Sequence, residues 1–316
     1  MNAYLSMNSD WRASMTQTVL VLGASGRFGR NAAEAFGRAG WTVRQFDRKR
    51  DDLDAAARGA DVIVNAWNPP YPDWAATVPG LHARVIKTAQ ATGATVIIPG
   101  NVYVFGADTP APWGPDSPHA ATNPLGRIRI DMEAAYRASG VRTILLRAGD
   151  FLDTCASGNW FDQVMIKRLD KGRFTYPGNP DIPHAWAYLP DLARATVTLS
   201  ERRETLPVFC DLTYPGYTMT GRQIATGLEQ VTGRRVALKR MNWLPLHLAR
   251  PVWSLAGSLL EMRYLWNTPH SLDGAAFAKV LPEFVQTPFE QALASAIPAR
   301  LLAAQVHPDQ AVAAGL

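Results

Sequence analysis

The sequence predicts an α/β protein built on a doubly wound parallel sheet, followed by a smaller C-terminal domain. In the first half, apolar runs rich in Val and Ile alternate with Ala-rich segments of helical period. Continuous apolar strands separated by helices are typical of parallel sheets that are covered on both faces. After about residue 150 the alternation gives way to Gly- and Pro-rich loops and a Trp- and Leu-rich helical segment. This change in pattern indicates the start of the second domain.

The individual elements follow in a regular order. The predicted strands are Val19–Leu22, Thr42–Phe46, Val62–Asn65, Thr95–Pro99 and Thr143–Arg147, the helices between them include Asn31–Ala39, Leu81–Ala91 and Asp131–Ser139, and a later strand and helix cover His184–Ser200. We expect the sheet domain to span 16–155 together with about 184–205. The second domain is expected over 156–183 and 206–298. Residues 1–15 are expected to be a disordered extension and 299–316 a tail.

Composition narrows the classes of function. The formal charge is +5, and the cations are scattered with no basic run beside interleaved aromatics, so nucleic-acid binding is not indicated. Cys155 and Cys210 have no metal-ligand spacing and suit a reducing compartment. The most apolar helical stretch, Trp243–Leu260, contains prolines and charged residues and is not expected to span a bilayer. We therefore expect a cytoplasmic protein with a small-molecule substrate, no metal, and no nucleic-acid or membrane partner; a homodimer stays open.

The segment "GASGRFG" (23–29) follows the first strand and opens the first helix. Glycines at this spacing allow a tight turn, a close approach of backbone N–H groups to a pyrophosphate, and close packing of the helix on the sheet. Asp47 lies 18 residues beyond Gly29, near the spacing expected of a carboxylate that binds the adenosine ribose. The sequence therefore predicts a dinucleotide site, with contacts from Gly23, Ser25, Gly26, Arg27, Phe28, Gly29, Asp47, Arg48, Asn65, Ala66 and Trp67.

The choice between NAD and NADP depends on Asp47 and on the cations near it. The Asp47 carboxylate would bind the ribose hydroxyls and repel a 2′-phosphate. Arg27 and the run Arg48-Lys49-Arg50 could instead neutralise that phosphate. We expect an NAD(P) site with a preference for NAD.

Four motifs carry a resemblance to a known family. "GASGRFG", "FDR" (46–48), "DVIVNA" (61–66) and "NVYVFG" (101–106) resemble the extended and atypical short-chain dehydrogenase/reductases, above all the dTDP-4-dehydrorhamnose reductases and sugar-nucleotide epimerases. The resemblance covers residues 17 to about 205, and less clearly 281–294. It implies a Rossmann-type sheet of the NAD-dependent epimerase/dehydratase superfamily. It also implies the short connection between Asp47 and Asp61, which those reductases share.

The catalytic residues of that family are missing at the matching positions. The family uses a Ser or Thr, a Tyr, and a Lys four residues after the Tyr. Their places are taken here by Asn101, Leu125 and Arg129, the last two within "NPLGRIRIDME" (123–133), and no tyrosine of the chain has a lysine four residues later. Arg129 could still bind ribose hydroxyls and lower the pKa of a nearby phenol, but it cannot carry a proton at neutral pH.

Other side chains could replace the missing proton donor. Tyr103 stands two residues after Asn101 and would share its face if the strand continues, so it is the first candidate. Asn101 could polarise a carbonyl, and His184 is a second acid. The segments 67–74 and 149–162, which should reach the substrate, supply the candidate pocket residues Tyr71, Asp150, Phe151 and Trp160. One face of the predicted strand at the start of 184–193 adds His184 and Tyr188.

Two functions follow from these observations. The first is an NAD(P)-dependent oxidoreductase or epimerase that acts on a small carbonyl or alcohol. The second is a non-catalytic NAD(P) sensor, as the NmrA-like branch of the superfamily implies. The missing Tyr-Lys pair favours the sensor, whereas the aromatic loops and a second domain of over 100 residues favour the enzyme. We expect the enzyme.

Overall fold

The computed structural model describes residues 16–303, so the predicted extension at 1–15 and the predicted tail beyond residue 303 lie outside the described residues. The strands are β1 (Thr18–Leu22), β2 (Thr42–Phe46), β3 (Val62–Asn65), β4 (Thr95–Gly100), β5 (Thr143–Arg147), β6 (Asp150–Leu152), β7 (Arg173–Tyr176), β8 (His184–Tyr188), β9 (Phe209–Thr213), β10 (Tyr217–Met219) and β11 (Ala237–Arg240). The α-helices are α1 (Arg27–Arg38), α2 (Leu53–Ala57), α3 (Trp74–Thr92), α4 (Pro124–Ala138), α5 (Leu189–Glu201), α6 (Gly221–Thr232), α7 (Leu244–Ala249), α8 (Ser254–Glu261), α9 (Ala275–Val280) and α10 (Phe289–Ser295).

The main sheet has six strands in the order β2-β1-β3-β4-β5-β9, and every neighbouring pair is parallel. Alternate residues of a strand face opposite sides of a sheet, and β1 shows this directly. Its Val19 and Val21 pack against α1 and α5, whereas Leu20 and Leu22 pack against α3 and α4. The predicted doubly wound sheet with two covered faces is confirmed.

The strand order reverses beside β1. β2 lies on one side of β1 and β3 on the other, so the carboxyl ends of β1 and β3 diverge at a topological switch point, where open α/β sheets bind ligands. The connection from β2 to β3 contains only the short helix α2, as the resemblance implies. The residues after β1, β2 and β3 therefore form one edge of the molecule.

A smaller assembly packs beside the carboxyl edge of the main sheet. It contains a three-stranded sheet in the order β10-β8-β6, a parallel pair of β7 and β11, and a third hydrophobic core shared with α6 and α10. β7 lies in a segment that the sequence predicted as loop, because four residues between Gly172 and Pro177 are too few to show a strand pattern. β9, from the segment assigned to the second domain, completes the main sheet.

The segment Trp243–Leu260 forms two short helices, α7 and α8, with a turn between them at Pro251. Proline cannot continue a helix without losing a backbone hydrogen bond, which accounts for the break. Among residues 16–303, no helix has the length and apolar character needed to cross a membrane.

Candidate active site

The glycine loop (Gly23–Gly29) joins β1 to α1 in one tight turn, in which the Gly26 amide donates to the Gly23 carbonyl at 2.9 Å. Gly23 has a φ of +76°, a conformation that side chains disfavour. A side-chain carbon at Gly29 would lie 2.1 Å from the Gly23 carbonyl oxygen. These two glycines are required by the turn and by the close packing of α1 on it.

Gly26 has a different reason to be glycine. Its φ of −79° and ψ of 173° suit any residue, and a side-chain carbon there would meet only the Gly23 carbonyl, at 3.1 Å. Gly26 is exposed at the start of the twelve-residue helix α1, which has no side-chain cap at this end. The first amides of such a helix bind anions. The loop therefore fits a phosphate group, and Gly26 leaves room for its approach.

The residues that flank Gly26 differ in how they can contact a ligand. Ser25 is exposed at the tip of the turn. The Arg27 guanidinium donates to the Ser157 carbonyl through Nε at 2.9 Å, and to the Gly158 carbonyl, which ties the loop to the segment after β6. The Phe28 side chain is buried in the core under α1, so only its backbone amide can reach a ligand.

Asp47 and the cations considered with it stand together at the end of β2. The Asp47 carboxylate accepts a hydrogen bond from the Lys49 amide at 2.9 Å, and the Arg50 Nε lies 3.6 Å from it. Arg48 is exposed in the same turn. Since β2 is the neighbour of β1, this acidic and basic corner lies on the same sheet edge as the glycine loop.

The end of β3 contributes residues of two kinds. Ala66 donates to the Leu22 carbonyl at 3.0 Å, and the Trp67 ring packs edge-on against Phe46 with centroids 5.4 Å apart, so both lie at the switch point. The Asn65 amide instead turns inward and contacts His82 Nδ1 and the Tyr136 hydroxyl, each at 3.2 Å. Its side chain therefore belongs to a buried polar network, which leaves only its backbone for a ligand.

A pair of phenols lies next to this edge. The hydroxyl oxygens of Tyr71 and Tyr103 are 2.5 Å apart, and the Tyr103 ring stacks on Trp74. Burial raises the pKa of Tyr71, and raises that of Tyr103 well above 10; the charge of Asp150 raises both further, whereas the charge of Arg129 lowers both. At neutral pH both phenols hold their protons, so the pair can donate one.

Arg129 of α4 lies beside the phenols. It is only 7% exposed, donates to the Asn68 side-chain oxygen at 2.8 Å, and sits 4.2 Å from the centroid of the Trp74 ring. Burial lowers its pKa, while the charges of Glu133, Tyr103 and Tyr71 raise it. Its Nε is buried and has no hydrogen-bond partner among the described residues. A buried donor without a partner is costly, so this N–H is suited to an oxygen of a ligand.

The position at which the resemblance implies a catalytic tyrosine holds a buried leucine. Leu125 is buried, and its backbone amide donates to Glu261 Oε1 at 2.7 Å. The Asn123 side chain donates to the same oxygen at 2.8 Å. A carboxylate at a helix N-terminus is stabilised by the helix dipole. Glu261, which comes from α8 far along the chain, was not foreseen because no local pattern links it to α4.

The expectation that a strand continues through Tyr103 is wrong. β4 ends at Gly100, and residues 102–105 form a turn in which the Asn101 side-chain oxygen accepts from the Tyr103 amide at 3.1 Å. Such local bonds compete with strand pairing. The turn, and not a shared strand face, brings Tyr103 to Tyr71. The Asn101 side chain is engaged in this turn, and its carbonyl accepts from Arg147 at 2.7 Å.

Asp150 and His184 are hydrogen-bonded to each other on the neighbouring strands β6 and β8. His184 Nε2 lies 2.7 Å from Asp150 Oδ2; the His184 side chain is 2% exposed, whereas that of Asp150 is 29% exposed. The His184 ring stacks on Trp266 at 4.4 Å and meets His270 edge-on. Burial lowers the pKa of His270 to about 3, so His270 is neutral. The accessible member of this pair is therefore the carboxylate.

The other predicted pocket residues are packed in cores. The Trp160 ring contacts Trp266 with centroids 5.4 Å apart, and Phe151 packs against the core beneath α1. Tyr188 is buried, and its hydroxyl accepts from Ser295 Oγ at 2.8 Å. The burial and bonding of Tyr188 place it in the third core, so they do not support its prediction as a pocket residue.

A buried ion network holds α4 in position. Arg147, fully buried at the end of β5, makes two bonds of 3.0 Å to Glu133 of α4 and one of 3.2 Å to Asp211 of β9. His119 Nε2 lies 3.8 Å from Glu133. Breaking a buried pair leaves an uncompensated charge and is strongly destabilising. Because Arg129 stands one turn before Glu133, this network also orients Arg129.

Comparison with known proteins gives matches at the level of the fold. No protein-family model matches the sequence, and no curated protein matches it at a significant level. A UDP-glucose 4-epimerase from Brucella ovis in complex with NAD is 16% identical, with 91% of this chain and 99% of that chain covered and a TM-score of 0.67.

Two further solved structures have the same fold as this chain. An NAD-dependent NDP-hexosamine 5,6-dehydratase, TunA, involved in tunicamycin biosynthesis, is 13% identical over 89% of this chain and 96% of that chain, with a TM-score of 0.70. A GalE-like L-threonine dehydrogenase from Cupriavidus necator is 19% identical over 88% of this chain and 98% of that chain, with a TM-score of 0.69. The chain thus has the fold of the NAD-dependent epimerases and dehydratases, as the sequence motifs predict.

Proposed function

We propose that this chain binds NAD(P), with a preference for NAD, and transfers hydride between the nicotinamide and a small carbonyl or alcohol substrate. The observation that carries the proposal is the hydrogen-bonded pair Tyr71–Tyr103 beside the buried Arg129, on the same sheet edge as the glycine loop. The structures with the same fold include complexes with NAD, which supports the cofactor.

Several groups of this chain would hold the cofactor. The amides that follow Gly26 bind the pyrophosphate, and Asp47 binds the adenosine ribose. Arg129 offers its unpartnered Nε to the hydroxyls of the nicotinamide ribose. Bound there, the nicotinamide supplies or accepts the hydride. The remaining chemistry is a proton transfer at the substrate oxygen, which the protein must provide.

Tyr103 is the proposed proton donor. As hydride reaches the carbonyl carbon, the Tyr103 hydroxyl gives its proton to the carbonyl oxygen, and the alcohol forms. The positive charge of Arg129 stabilises the resulting phenolate, whereas burial and Tyr71 raise the pKa of Tyr103 and so favour return of the proton. A positioned acid of this kind contributes about 10²–10⁴-fold to the rate. Asp150, held by His184, is the second candidate for this role because it is the accessible carboxylate whose charge acts on both phenols.

A non-catalytic NAD(P) sensor is the competing function. The observation that favours it is the buried Leu125 in the place of the family's tyrosine, with Glu261 bound to the same helix end. A sensor would use the glycine loop and need no proton donor. The two functions therefore differ in turnover and not in binding.

The test is cofactor-linked turnover with matched variants. Purified protein is assayed for oxidation of NADH and NADPH with a panel of ketones and aldehydes, and we expect turnover that is faster with NADH. Tyr103→Phe should lower kcat about 10²-fold with little change in cofactor affinity. Tyr214→Phe is the control, because the Tyr214 hydroxyl is buried without a partner among the described residues. Dinucleotide binding without turnover on any carbonyl would favour the sensor.

A further inference from the structure

Exposed apolar side chains are concentrated in one short segment. Among residues 16–303, six large apolar side chains are exposed, and four of them lie between residues 244 and 253. We call these four the hairpin patch: Leu244, Leu248, Val252 and Trp253. Val252 is 91% exposed and Leu248 is 71% exposed. Clusters of this kind on a soluble surface mark a site of interaction.

The backbone presents the hairpin patch as one surface. Leu244 and Leu248 stand four residues apart in α7. In the turn that follows, the Val252 and Trp253 amides both donate to the Ala249 carbonyl, at 3.0 Å and 2.9 Å, which keeps Val252 close to the end of α7. Side chains four apart on a helical turn lie on the same side.

The other side of the same segment is anchored in the protein. Trp243 is buried and donates to the Pro177 carbonyl at 2.6 Å, and Ala256 of α8 is buried. Because Trp243 and Ala256 fix this segment to the protein, the side chains of the hairpin patch remain on its outer side.

The segment that contains the hairpin patch carries charge of a single sign. From Val231 to Leu260 the chain contains no Asp or Glu, and its cations are Arg234, Arg235, Lys239, Arg240 and Arg250. All five are exposed. Exposed Leu, Val and Trp side chains among Lys and Arg, without acidic residues, are typical of segments that lie at the surface of an anionic membrane.

The charges also disfavour a symmetric pairing of two copies through this surface. In such a pairing the cations of one copy would face those of the other, which is destabilising. We propose that the hairpin patch docks on an anionic lipid surface, with Trp253, Val252 and Leu248 entering the headgroup region and the cations contacting lipid phosphates. The finding that no helix of the described part spans a bilayer concerns a different kind of membrane contact.

Docking would place the candidate active site close to the lipid. α8, which follows the hairpin patch, packs against the turn Tyr71–Asp73, which carries one of the two phenols. Its last residue, Glu261, holds the N-terminus of α4. The inference itself does not depend on the proposed reaction, since it rests on exposure and charge alone.

Vesicle co-sedimentation of the full chain tests the proposal. The probes are vesicles of phosphatidylcholine and vesicles of phosphatidylcholine mixed with phosphatidylglycerol. We expect binding to the mixed vesicles that is weakened by salt, and little binding to phosphatidylcholine alone. Leu248→Ser and Val252→Ser should each lower the affinity about tenfold. Arg240→Gln should lower it about fivefold, the effect of one cation near a charged surface.

Matched controls distinguish specific docking on lipid from nonspecific adsorption and from misfolding of the variants. Val285→Ser removes another strongly exposed valine outside the hairpin patch (76% exposed) and should not change the affinity. The patch variants should unfold at the same temperature as the unaltered protein, because they change exposed side chains. Absence of binding to the mixed vesicles, equal binding to both vesicle types, or an equal effect of Val285→Ser would overturn the proposal. Concentration-dependent self-association that Val252→Ser abolishes, without vesicle binding, would assign the patch to a second copy.

Discussion

At the scale of single residues, the candidate site contains two phenols that hydrogen-bond to each other, where the resemblance implies one. The position expected to carry the tyrosine holds Leu125, buried beneath a helix end that Glu261 closes. Tyr103 reaches the same region from a turn after β4, and Tyr71 reaches it from the turn before α3. The hydrogen bond between them lowers the pKa of Tyr71 and raises that of Tyr103, so Tyr103 is the phenol that keeps its proton.

The pH dependence of turnover follows from the shifted pKa of Tyr103. Carbonyl reduction uses the protonated phenol, so its rate should stay level across neutral pH. Alcohol oxidation uses the phenolate; because burial, Tyr71 and Asp150 raise the pKa of Tyr103 well above 10, while Arg129 lowers it, oxidation should rise with pH into the alkaline range. The rise should be about tenfold per pH unit, as for any single ionisation below its pKa.

The variant Asp150→Asn tests the direction in which the pKa of Tyr103 responds to a nearby charge. Removing the negative charge should lower the pKa of Tyr103 and shift the alkaline rise in oxidation to lower pH. Asp181→Asn, which alters an exposed carboxylate paired with Arg222, should leave the profile unchanged. A profile that does not move in Asp150→Asn would show that neither phenol controls the proton step.

Sequence reasoning proposed residues for the candidate site but not how they meet. Tyr103, Arg129 and Tyr71 were all predicted, because each lies where a motif or an aromatic loop leaves the sheet edge. The contact between Tyr71 and Tyr103 joins residues that are 32 positions apart and depends on the turn set by Asn101. Such a contact has no signature in a local pattern.

At the scale of elements, the glycines of the loop before α1 have two different roles. Gly23 and Gly29 serve the turn, through a positive φ and through a 2.1 Å approach to a carbonyl. Gly26 is exposed at the helix N-terminus, and a side-chain carbon there would meet only the Gly23 carbonyl oxygen, at 3.1 Å, and would take up space in front of the first amides. A phosphate that approaches the first amides of α1 would need that space.

Gly26→Val should therefore abolish binding without unfolding the protein. Its backbone angles suit valine, so we expect the thermal unfolding temperature to stay near that of the unaltered protein. The affinity for NAD should fall tenfold or more, equivalent to about 1.4 kcal/mol or more, in a calorimetric titration. Gly37→Val, in the same helix with open space around it, is the matched control and should bind NAD normally. Unchanged affinity in Gly26→Val would remove the glycine loop from the cofactor site.

Strands and helices of the main sheet were predicted well because each has a long apolar pattern. β1, β3, β4 and β5 are almost wholly buried, and a buried parallel strand shows as a continuous apolar run. β7 and β9 were not predicted as strands. β7 has four residues, and β9 carries the polar Asp211, which the ion network with Arg147 requires. Tertiary contacts of this kind override local pattern.

At the scale of the whole molecule, the three hydrophobic cores enclose or adjoin two buried histidines, His82 and His270. His82 lies in the network with Asn65 and Tyr136 in the first core, and His270 stacks on Trp113 at 4.6 Å. Burial lowers the pKa of each histidine to about 3; the charge of Arg129 adds to the effect at His82. Both are therefore neutral in the folded protein at any pH above about 3.

This arrangement predicts a loss of stability in acid. The unfolded chain binds a proton at each histidine near pH 6.5, while the folded protein does not until about pH 3. The free energy of unfolding should thus be highest above pH 6.5 and fall as the pH is lowered toward 3, by up to about 1.4 kcal/mol per pH unit for each histidine. Urea unfolding of His82→Gln over this range should show a smaller slope. His247→Gln, on the exposed face of α7, is the control; equal slopes in the two variants would contradict the account.

Transfer of deuterium from NADH that carries deuterium at both C4 positions tests the central claim most directly. The protein is incubated with labelled NADH and the carbonyl of the panel that supports the fastest turnover, and the product alcohol is examined by mass spectrometry. We predict one deuterium per product molecule, on the former carbonyl carbon, with the yield strongly reduced in Tyr103→Phe and unchanged in Tyr214→Phe. Recovery of every carbonyl unreduced, from protein shown to bind NADH, would contradict the claim that this edge of the sheet catalyses hydride transfer.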